Sequence, residues 1–319
     1  MNRVGSLQQV VVVPWNGYVN RLQAWASASI LAQRLRAELR VAWEAEPVAP
    51  ASASTLFSPS LISESFVSLD YVSDVLGHHH SEMPRYLTIN RGQGVAFLAG
   101  HDRGEQYFMD ELLHELQTQP VISALVIVSG GKFHLPYEKE FMSKRRTFYQ
   151  QVSWHSEIQD QYLDTRPPGA EYLGLHIRET DRSREAPTQR SLTRAVRRLA
   201  EELKIENILV TGDTDSARSQ WFDELERLGL SPWVSAATNF NRGESESARD
   251  AISDWIILGR SEAIIYSAQS SFGQEAAIMT TYPDHCRGLQ APRATQGFRD
   301  MNRIARSAIR SISSGRSTQ

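Results

Sequence analysis

Cysteine is all but missing from this chain. Cys286 is the only one in 319 residues, which excludes an intrachain disulfide framework and suits a reducing compartment. Lysine is scarce as well: among 34 basic residues only Lys132, Lys139, Lys144 and Lys204 are lysines. Positive charge is therefore carried by arginine, whose planar, permanently charged fork fits phosphate. The net charge of −3 supplies no bulk basic field for nucleic acid or an anionic membrane. Long apolar runs are absent too. Val10-Val11-Val12-Val13 ends at Pro14, far short of a bilayer span. No charged n-region followed by an apolar stretch and a small-residue cleavage site opens the chain. These absences predict a cytoplasmic protein without an integral membrane segment. The first strand–helix turn lacks G-x-G-x-x-G, which makes a nicotinamide cofactor a poor expectation. Metal-ligand spacing is lacking as well. His78-His79-His80 is the one exception, and adjacent histidines on a regular element cannot all face one ion, so no metal is expected.

What is present is ordinary for a globular protein, with 41% hydrophobic and 22% charged residues. The length suits roughly two domains of about 150 residues. Gln9 to Val13 is a β-branched run that reads as a buried parallel strand. Pro14-Trp15-Asn16-Gly17 breaks it. Leu22, Trp25, Ala26 and Ile30 then follow at helical spacing, continuing to Leu35, and Leu39 to Trp43 reads as a second strand. Such a unit closes right-handed into a parallel sheet. Between 50 and 120 the pattern weakens: Leu61 to Leu76 carries helical signal and Tyr86 to Asn90 reads as a short strand. Val121 to Val128 is a strand ended by Ser129-Gly130-Gly131, and Glu138 to Val152 a helix.

Thr165-Arg166-Pro167-Pro168-Gly169 cannot continue a helix and reads as a linker. Beyond it, strands over 172–177, 207–210, 233–234 and 263–266 alternate with helices over 191–204, 216–228, 248–259 and 272–279. Regular alternation predicts doubly wound parallel sheets, with ligands at the carboxyl ends of the strands. The expected organisation is an α/β protein of two Rossmann-like domains, 1–165 and 166–295, facing across a cleft, with a tail over 296–319. Met301 to Ile312 in that tail reads as a basic amphipathic helix, either packed on the body with an Arg-rich outer face or in peripheral contact with a membrane.

Four segments at strand ends carry the chemistry. In Gly17-Tyr18-Val19-Asn20-Arg21-Leu22 a glycine precedes a helix start, and Arg21 offers a guanidinium to an anion; the plain alternative is an ordinary turn with a surface arginine. In Gly174-Leu175-His176-Ile177-Arg178-Glu179-Thr180-Asp181-Arg182 strand alternation turns His176 and Arg178 to one face. Arg178 can meet a diphosphate bidentately, with Asp181 fixing it or bonding a sugar; the alternative is a structural Arg–Asp pair and a satisfied histidine. Val210-Thr211-Gly212-Asp213-Thr214-Asp215 ends a strand before a helix, where Thr214 or Asp215 would serve as cap. In the fourth segment Asp250 and Asp254 lie one turn apart on a helix. Ser270 and Ser271 there are either helix caps or phosphate and base ligands.

Together these segments resemble the fucosyltransferase-like GT-B enzymes, a group with bacterial Nod-factor α-1,6-fucosyltransferases, animal core α-1,6-fucosyltransferase and protein O-fucosyltransferases. That family carries G-x-G-N-R-[LM], H-[VI]-R-R-[TG]-D, a strand-end T-D-D, and D-x-x-x-L-S-x-C-D followed by a strand and S-S-x. The corresponding stretches here are Gly17 to Leu22, His176 to Asp181, Thr211-Gly212-Asp213, and Asp254 through Ser271, in the same order over residues 10 to 280. The resemblance implies an inverting, metal-independent glycosyltransferase that moves a sugar, with fucose first, from a GDP-sugar co-substrate to a glycan, peptide or small-molecule hydroxyl. It implies that Arg178 holds the β-phosphate and supports the leaving group. His176 and Asp213 would line the guanosine site. Asp254 or Asp250 would contact guanine or ribose, and Ser270, Ser271 and Phe272 would close on the diphosphate. Asn20 and Arg21 would act from the N-terminal domain. Glu185, in Glu185-Ala186, aligns with the family's proposed general base, with Glu44 as runner-up. Three departures stand out. Glu179 replaces the second arginine, Gly212 an aspartate, and Tyr18 a glycine. They leave open another donor, GDP-mannose or a UDP-sugar, and a GDP-sugar-binding protein that no longer transfers.

Overall fold

The computed structural model describes residues 7–79, 81, 87–100, 105–118, 121–133, 140–165, 171–178, 187–239, 241 and 243–290. The chain divides into two compact units. One comprises Met1–Gly169, Ser235–Arg260 and Glu275–Thr281; the other comprises Ala170–Val234, Ser261–Gln274 and Tyr282–Gln319. The first division therefore falls between Gly169 and Ala170, at the end of the proline-rich segment, and the chain returns to the first unit twice in its second half. The linker residues 166–169 and the tail over 296–319 lie outside the described residues.

The first unit is built on a five-stranded sheet. Its strands are β1 (Gln9–Pro14), β2 (Glu38–Val41), β3 (Leu87–Asn90), β4 (Val95–Gly100) and β5 (Ala124–Ser129), in the order β2-β1-β5-β4-β3. β1 is central because its valines have a place to go: Val10, Val11 and Val12 are fully buried, with Val12 in register with Val41 on one side and Ile127 on the other. All neighbours pair in parallel except β3 and β4, which form an antiparallel edge ribbon with Asn90 opposite Val95. That ribbon departs from the wholly parallel sheet expected from alternation.

α1 (Tyr18–Leu35) packs on this sheet. Ala24, Ala26, Ser27 and Ala28 are fully buried, and such small side chains let a helix approach a sheet closely. The helix ends at Arg36, which adopts the left-handed conformation at φ 56° and donates its N–H back into the last turn. Trp25 sits edge-on to Phe57, Phe66 and Phe148 with centroids 5.1–5.3 Å apart, and Phe57 stacks on Trp154 at 5.4 Å. These rings pin the region the sequence left weak, which holds α2 (Ala53–Leu56), α3 (Pro59–Ser65) and α4 (Leu69–Leu76). α5 (Glu105–Thr118), α6 (Phe141–Gln151) and α7 (Ser156–Thr165) complete the first half of the chain. α10 (Ser247–Gly259), from the second half, packs on α7 and belongs to the same unit.

The second unit has a wholly parallel sheet of β6 (Leu173–Ile177), β7 (Asn207–Gly212), β8 (Ser231–Val234), β9 (Ile264–Ser267) and β10 (Arg287–Leu289), ordered β10-β9-β6-β7-β8. α8 (Gln189–Leu203) buries Leu192, Val196, Leu199 and Ala200 along one stripe. Its cap is Thr188, whose hydroxyl accepts the Ser191 N–H at 3.2 Å. α9 (Asp215–Arg227) is capped likewise by Thr214, with Asp215 in the first turn where an acid favours the helix dipole. α11 (Ser271–Met279) follows β9; its residues to Gln274 count with this unit and those from Glu275 with the first. Among the described residues no helix is long and apolar enough to cross a membrane.

Candidate functional site

In the second unit the chain runs from β6 to β7 and β8 on one side, then returns to β9 on the other. Such a reversal leaves a crevice at the carboxyl ends of the strands, between β6 and β9. His176 stands there, in register with Thr211 of β7 and Tyr266 of β9. The residue is 5% exposed. Nδ1 lies 3.1 Å from Thr211 Oγ1, Nε2 lies 3.1 Å from Ser270 Oγ, and Phe272 stacks on the ring with centroids 4.7 Å apart. Ser270 also accepts the Gly273 N–H at 3.3 Å, so it caps α11. Gly273 is required by this packing: a Cβ there would come within 2.6 Å of Tyr266 Cβ.

Arg178 follows β6 directly and is half-buried, and Asp213 follows β7 in the same condition. Ile177 pairs with Gly212, so the two charged residues leave adjacent strands at the same level. The structure therefore brings His176, Arg178, Asp213, Ser270, Ser271 and Phe272 to one sheet edge. It also separates neighbours: Ser270 is fully buried, while Ser271 and Phe272 are partly exposed. Glu179, Asp181 and Glu185 lie outside the described residues.

The N-terminal motif meets a different fate. Gly17 caps α1 with an extended backbone, and a Cβ there would meet nothing within 4 Å. The left-handed residue of the turn is Asn16, at φ 78°. Asn20 is half-buried on the first turn of α1 and makes no side-chain hydrogen bond among the described residues. Arg21 departs from the expected anion ligand. Its side chain is fully buried, donating from Nε to Asn16 O at 2.8 Å, from Nη1 to Glu44 O, and from Nη2 to Glu46 Oε2 at 2.8 Å. Its guanidinium lies over Trp43 at 5.3 Å. Burial lowers its pKa, and Glu46 opposes that shift. Arg21 thus ties the β1–α1 turn to the segment after β2. The Glu44 side chain is exposed at that segment.

Asp250 and Asp254 lie on α10, in the first unit. Asp250 Oδ2 accepts the backbone N–H groups of Thr238 at 2.8 Å and Asn239 at 2.9 Å, while Oδ1 accepts Gln161 Nε2 at 2.6 Å. The carboxylate expected to read guanine or ribose is engaged in fastening the 238–239 backbone. Asp254 is buried, 5% exposed.

One cluster escaped the sequence reading. Glu275 is fully buried on α11. Its carboxylate accepts from Gln23 Nε2 at 2.7 Å and from the Tyr149 hydroxyl at 2.8 Å, with Arg145 Nη2 at 3.3 Å and Lys132 Nζ at 3.7 Å. A lone acid before Ala276-Ala277-Ile278-Met279 was the available signal, because an unpaired carboxylate would not be buried there. Burial, reinforced by Glu275, raises the Tyr149 pKa well above 10. A raised folded pKa contributes stability that is complete below the unfolded value and is lost as pH rises above it. Tyr149→Phe should destabilise the protein at pH 7 by removing the hydroxyl's hydrogen bond to Glu275, with the deficit shrinking above about pH 10 by up to ~1.4 kcal/mol per pH unit as the tyrosine protein alone loses stability. Urea midpoints of both proteins across pH 8 to about 11.5 check this; a deficit independent of pH would contradict it.

Among the described residues no group of three or more His, Cys, Asp or Glu side chains could hold a metal ion. His79 Nδ1 instead pairs with Ser81 Oγ at 2.6 Å, and His80 lies outside the described residues.

No family model matches the chain, and no curated protein matches it by sequence. Solved structures do resemble it. The NodZ α-1,6-fucosyltransferase soaked with GDP-fucose superposes with a TM-score of 0.56 at 17% identity, covering 86% of this chain and 93% of that one. Fucosyltransferase NodZ from Bradyrhizobium gives 0.56 at 18% identity, with the same coverage. A mutant of FUT1 from Arabidopsis thaliana in complex with GDP gives 0.58 at 15% identity, covering 87% of this chain and 70% of that one. The fold is the one these fucosyltransferases share.

Proposed function

We propose that this chain is a glycosyltransferase that takes a sugar, fucose first among candidates, from a GDP-sugar and passes it to a hydroxyl acceptor with inversion. The observation that carries the reading is the placement of Arg178 and Asp213 at the carboxyl ends of the adjacent strands β6 and β7, beside the β6/β9 reversal after which α11 starts, in a fold whose NodZ and FUT1 representatives were solved with GDP-fucose or GDP. In the proposed reaction the acceptor oxygen attacks the anomeric carbon and the bond to the β-phosphate oxygen breaks. Negative charge develops on the departing diphosphate. Arg178 supplies a fixed positive charge there, with no metal required. Glu185 takes the acceptor's proton. Asp213 and Phe272 contribute to the guanosine and diphosphate pockets.

A panel of GDP, GDP-fucose, GDP-mannose, UDP and a UDP-sugar in thermal melting tests the reading. A nucleotide at 100 times its Kd adds about 2.7 kcal/mol, so GDP and GDP-fucose should raise the melting temperature clearly while UDP leaves it unchanged. A rise with UDP alone would transfer the assignment to a different donor class, and no rise with any guanine nucleotide would remove it. Glu179 favours a second reading, a GDP-sugar-binding protein without transfer. That protein would be stabilised by GDP yet show no slow hydrolysis of the donor.

A further inference from the structure

Helix α8 carries its charge against its own stability. Arg190, Arg194, Arg197 and Arg198 stand on the side opposite the buried Leu192, Val196 and Leu199, and all four are exposed. Arg190 lies in the first turn, where the helix dipole disfavours a cation. Glu201 and Glu202 lie in the last, where it disfavours an anion; only Lys204, at the cap, is on the favourable side. Arg190 faces Arg194, and Arg194 faces Arg198, each pair one turn apart and mutually repelling. Acids are not scarce, since the chain has 37 of them against 34 basic residues. Yet among the described residues Arg190, Arg194 and Arg198 make no ion pair, and Arg197 meets only Glu201, at 4.0 Å.

Neighbouring elements extend this patch. Thr193 lies 3.5 Å from Glu224, which pairs with the exposed Arg227 on α9. α8 also packs on β10, where Arg287 is exposed. Because α8 returns the chain from β6 to the parallel β7, it runs against the strands, and β10, parallel to them, ends beside its first turns. The sequence that follows, 291–319, holds six arginines against the single Asp300, interleaved with Phe298, Met301, Ile304, Ile309 and Ile312. A net charge of −3 thus conceals a local concentration of positive charge.

We propose that this face of the second unit rests on an anionic membrane surface, held there by α8 and by the sequence that follows β10. Charge alone would suit any polyanion. Apolar side chains set among the arginines of 291–319 suit a lipid headgroup boundary, which takes up both kinds. The proposal does not depend on the identity of the donor.

Co-sedimentation of the full chain with vesicles tests it. At about 0.1 M salt the protein should bind phosphatidylcholine vesicles containing about one third phosphatidylglycerol, and should not bind phosphatidylcholine alone. About 1 M salt, which shortens screening to about 3 Å, should release it. Equal binding to both vesicles, or to neither, overturns the proposal. Changing Arg190, Arg194 and Arg198 together to Gln should weaken binding about 100-fold, or about fivefold for each charge taken from the surface. A loss under about threefold would take α8 off the membrane. The same three changed to Lys should stay within about threefold, since a lipid surface responds to charge and not to the guanidinium fork; a loss equal to that of the Gln variant would point to a specific bidentate ligand instead. Gln at Arg36, Arg91 and Arg146, in the first unit, should leave binding within about threefold, and a loss as large as that from α8 would show that net charge, not this face, is responsible. The melting temperature of the α8 Gln variant should equal or exceed that of the unmodified protein, because repulsion and dipole opposition are relieved. A clear fall would make the arginines structural. Binding to heparin or duplex DNA as tight as to the anionic vesicles, with the same dependence on the three arginines, would assign the face to a polyanion and remove the lipid.

Discussion

Arg178→Ala should lower turnover by about 100-fold or more, the scale of removing one charged contact made in the transition state, while the melting temperature stays near that of the unmodified protein. The expectation of an intact fold comes from where the residue sits. Arg178 lies one position past β6 and is half-buried, so the strand's ladder and the core beneath Leu175 and Ile177 do not depend on it. The expectation of lost turnover comes from charge. As the diphosphate leaves, its negative charge grows, and a fixed guanidinium interacts more strongly with the transition state than with the bound donor. The loss should therefore fall mainly on kcat and on kcat/KM, with a smaller rise in donor KM. Arg178→Lys should recover only part of the rate, since a single ammonium keeps the charge but loses the two-pronged geometry. Steady-state kinetics on the three proteins check this. A kcat within about threefold of normal for Arg178→Ala would remove the residue from the chemistry.

Much of the architecture was readable because the strands carry it locally. Val10 to Val13, Leu125 to Val128, Leu173 to Ile177 and Ile208 to Val210 are runs that suit strands buried on both faces, and each became a central strand. The caps are legible too: Thr214 and Asp215 are the two candidates the sequence offers for α9, and Thr214 takes the role. β4, α5 and α7 carry no clear sequence signal, because their residues lack clean periodicity and their order comes from partners distant in the chain. α7 forms against α10, about ninety residues on.

The site divides in the same way. Which residues stand at strand ends follows from alternation, so His176, Arg178 and Asp213 could be placed from sequence. Which way a charged side chain turns does not follow. Arg21 has the spacing of an anion ligand, yet its donors are taken by Asn16, Glu44 and Glu46, and only tertiary structure brings the last two within reach. Ser270 and Ser271 are interchangeable in sequence. The ring of His176, ninety-four positions away, decides that the first is buried and the second open.

Glu275→Ala should be the most destabilising single change considered, costing about 3–5 kcal/mol, as when one member of a buried ionic cluster is removed. Glu275 is fully buried and faces two cations. Lys132 is about a third exposed and can turn to water. Arg145 cannot. It is 4% exposed, with its guanidinium over the Phe141 ring at 4.9 Å. Deleting the carboxylate leaves that charge desolvated and also strips acceptors from Gln23 and the Tyr149 hydroxyl. A domain's whole stability is about 5–15 kcal/mol, so the variant would sit near its unfolding threshold at ambient temperature. Urea unfolding followed by tryptophan fluorescence reads the loss, since Trp25, Trp43, Trp154 and Trp255 are all buried in the same unit. The argument predicts a second result that simple cavity formation does not. If the cost is an unpaired buried cation, Arg145→Met combined with Glu275→Ala should be more stable than Glu275→Ala alone, because the second change removes the charge the first stranded. If the cost is lost packing, the two changes should add. A double variant less stable than Glu275→Ala would therefore assign the carboxylate a packing role, and a single-variant loss below about 1 kcal/mol would show that Arg145 does not depend on it.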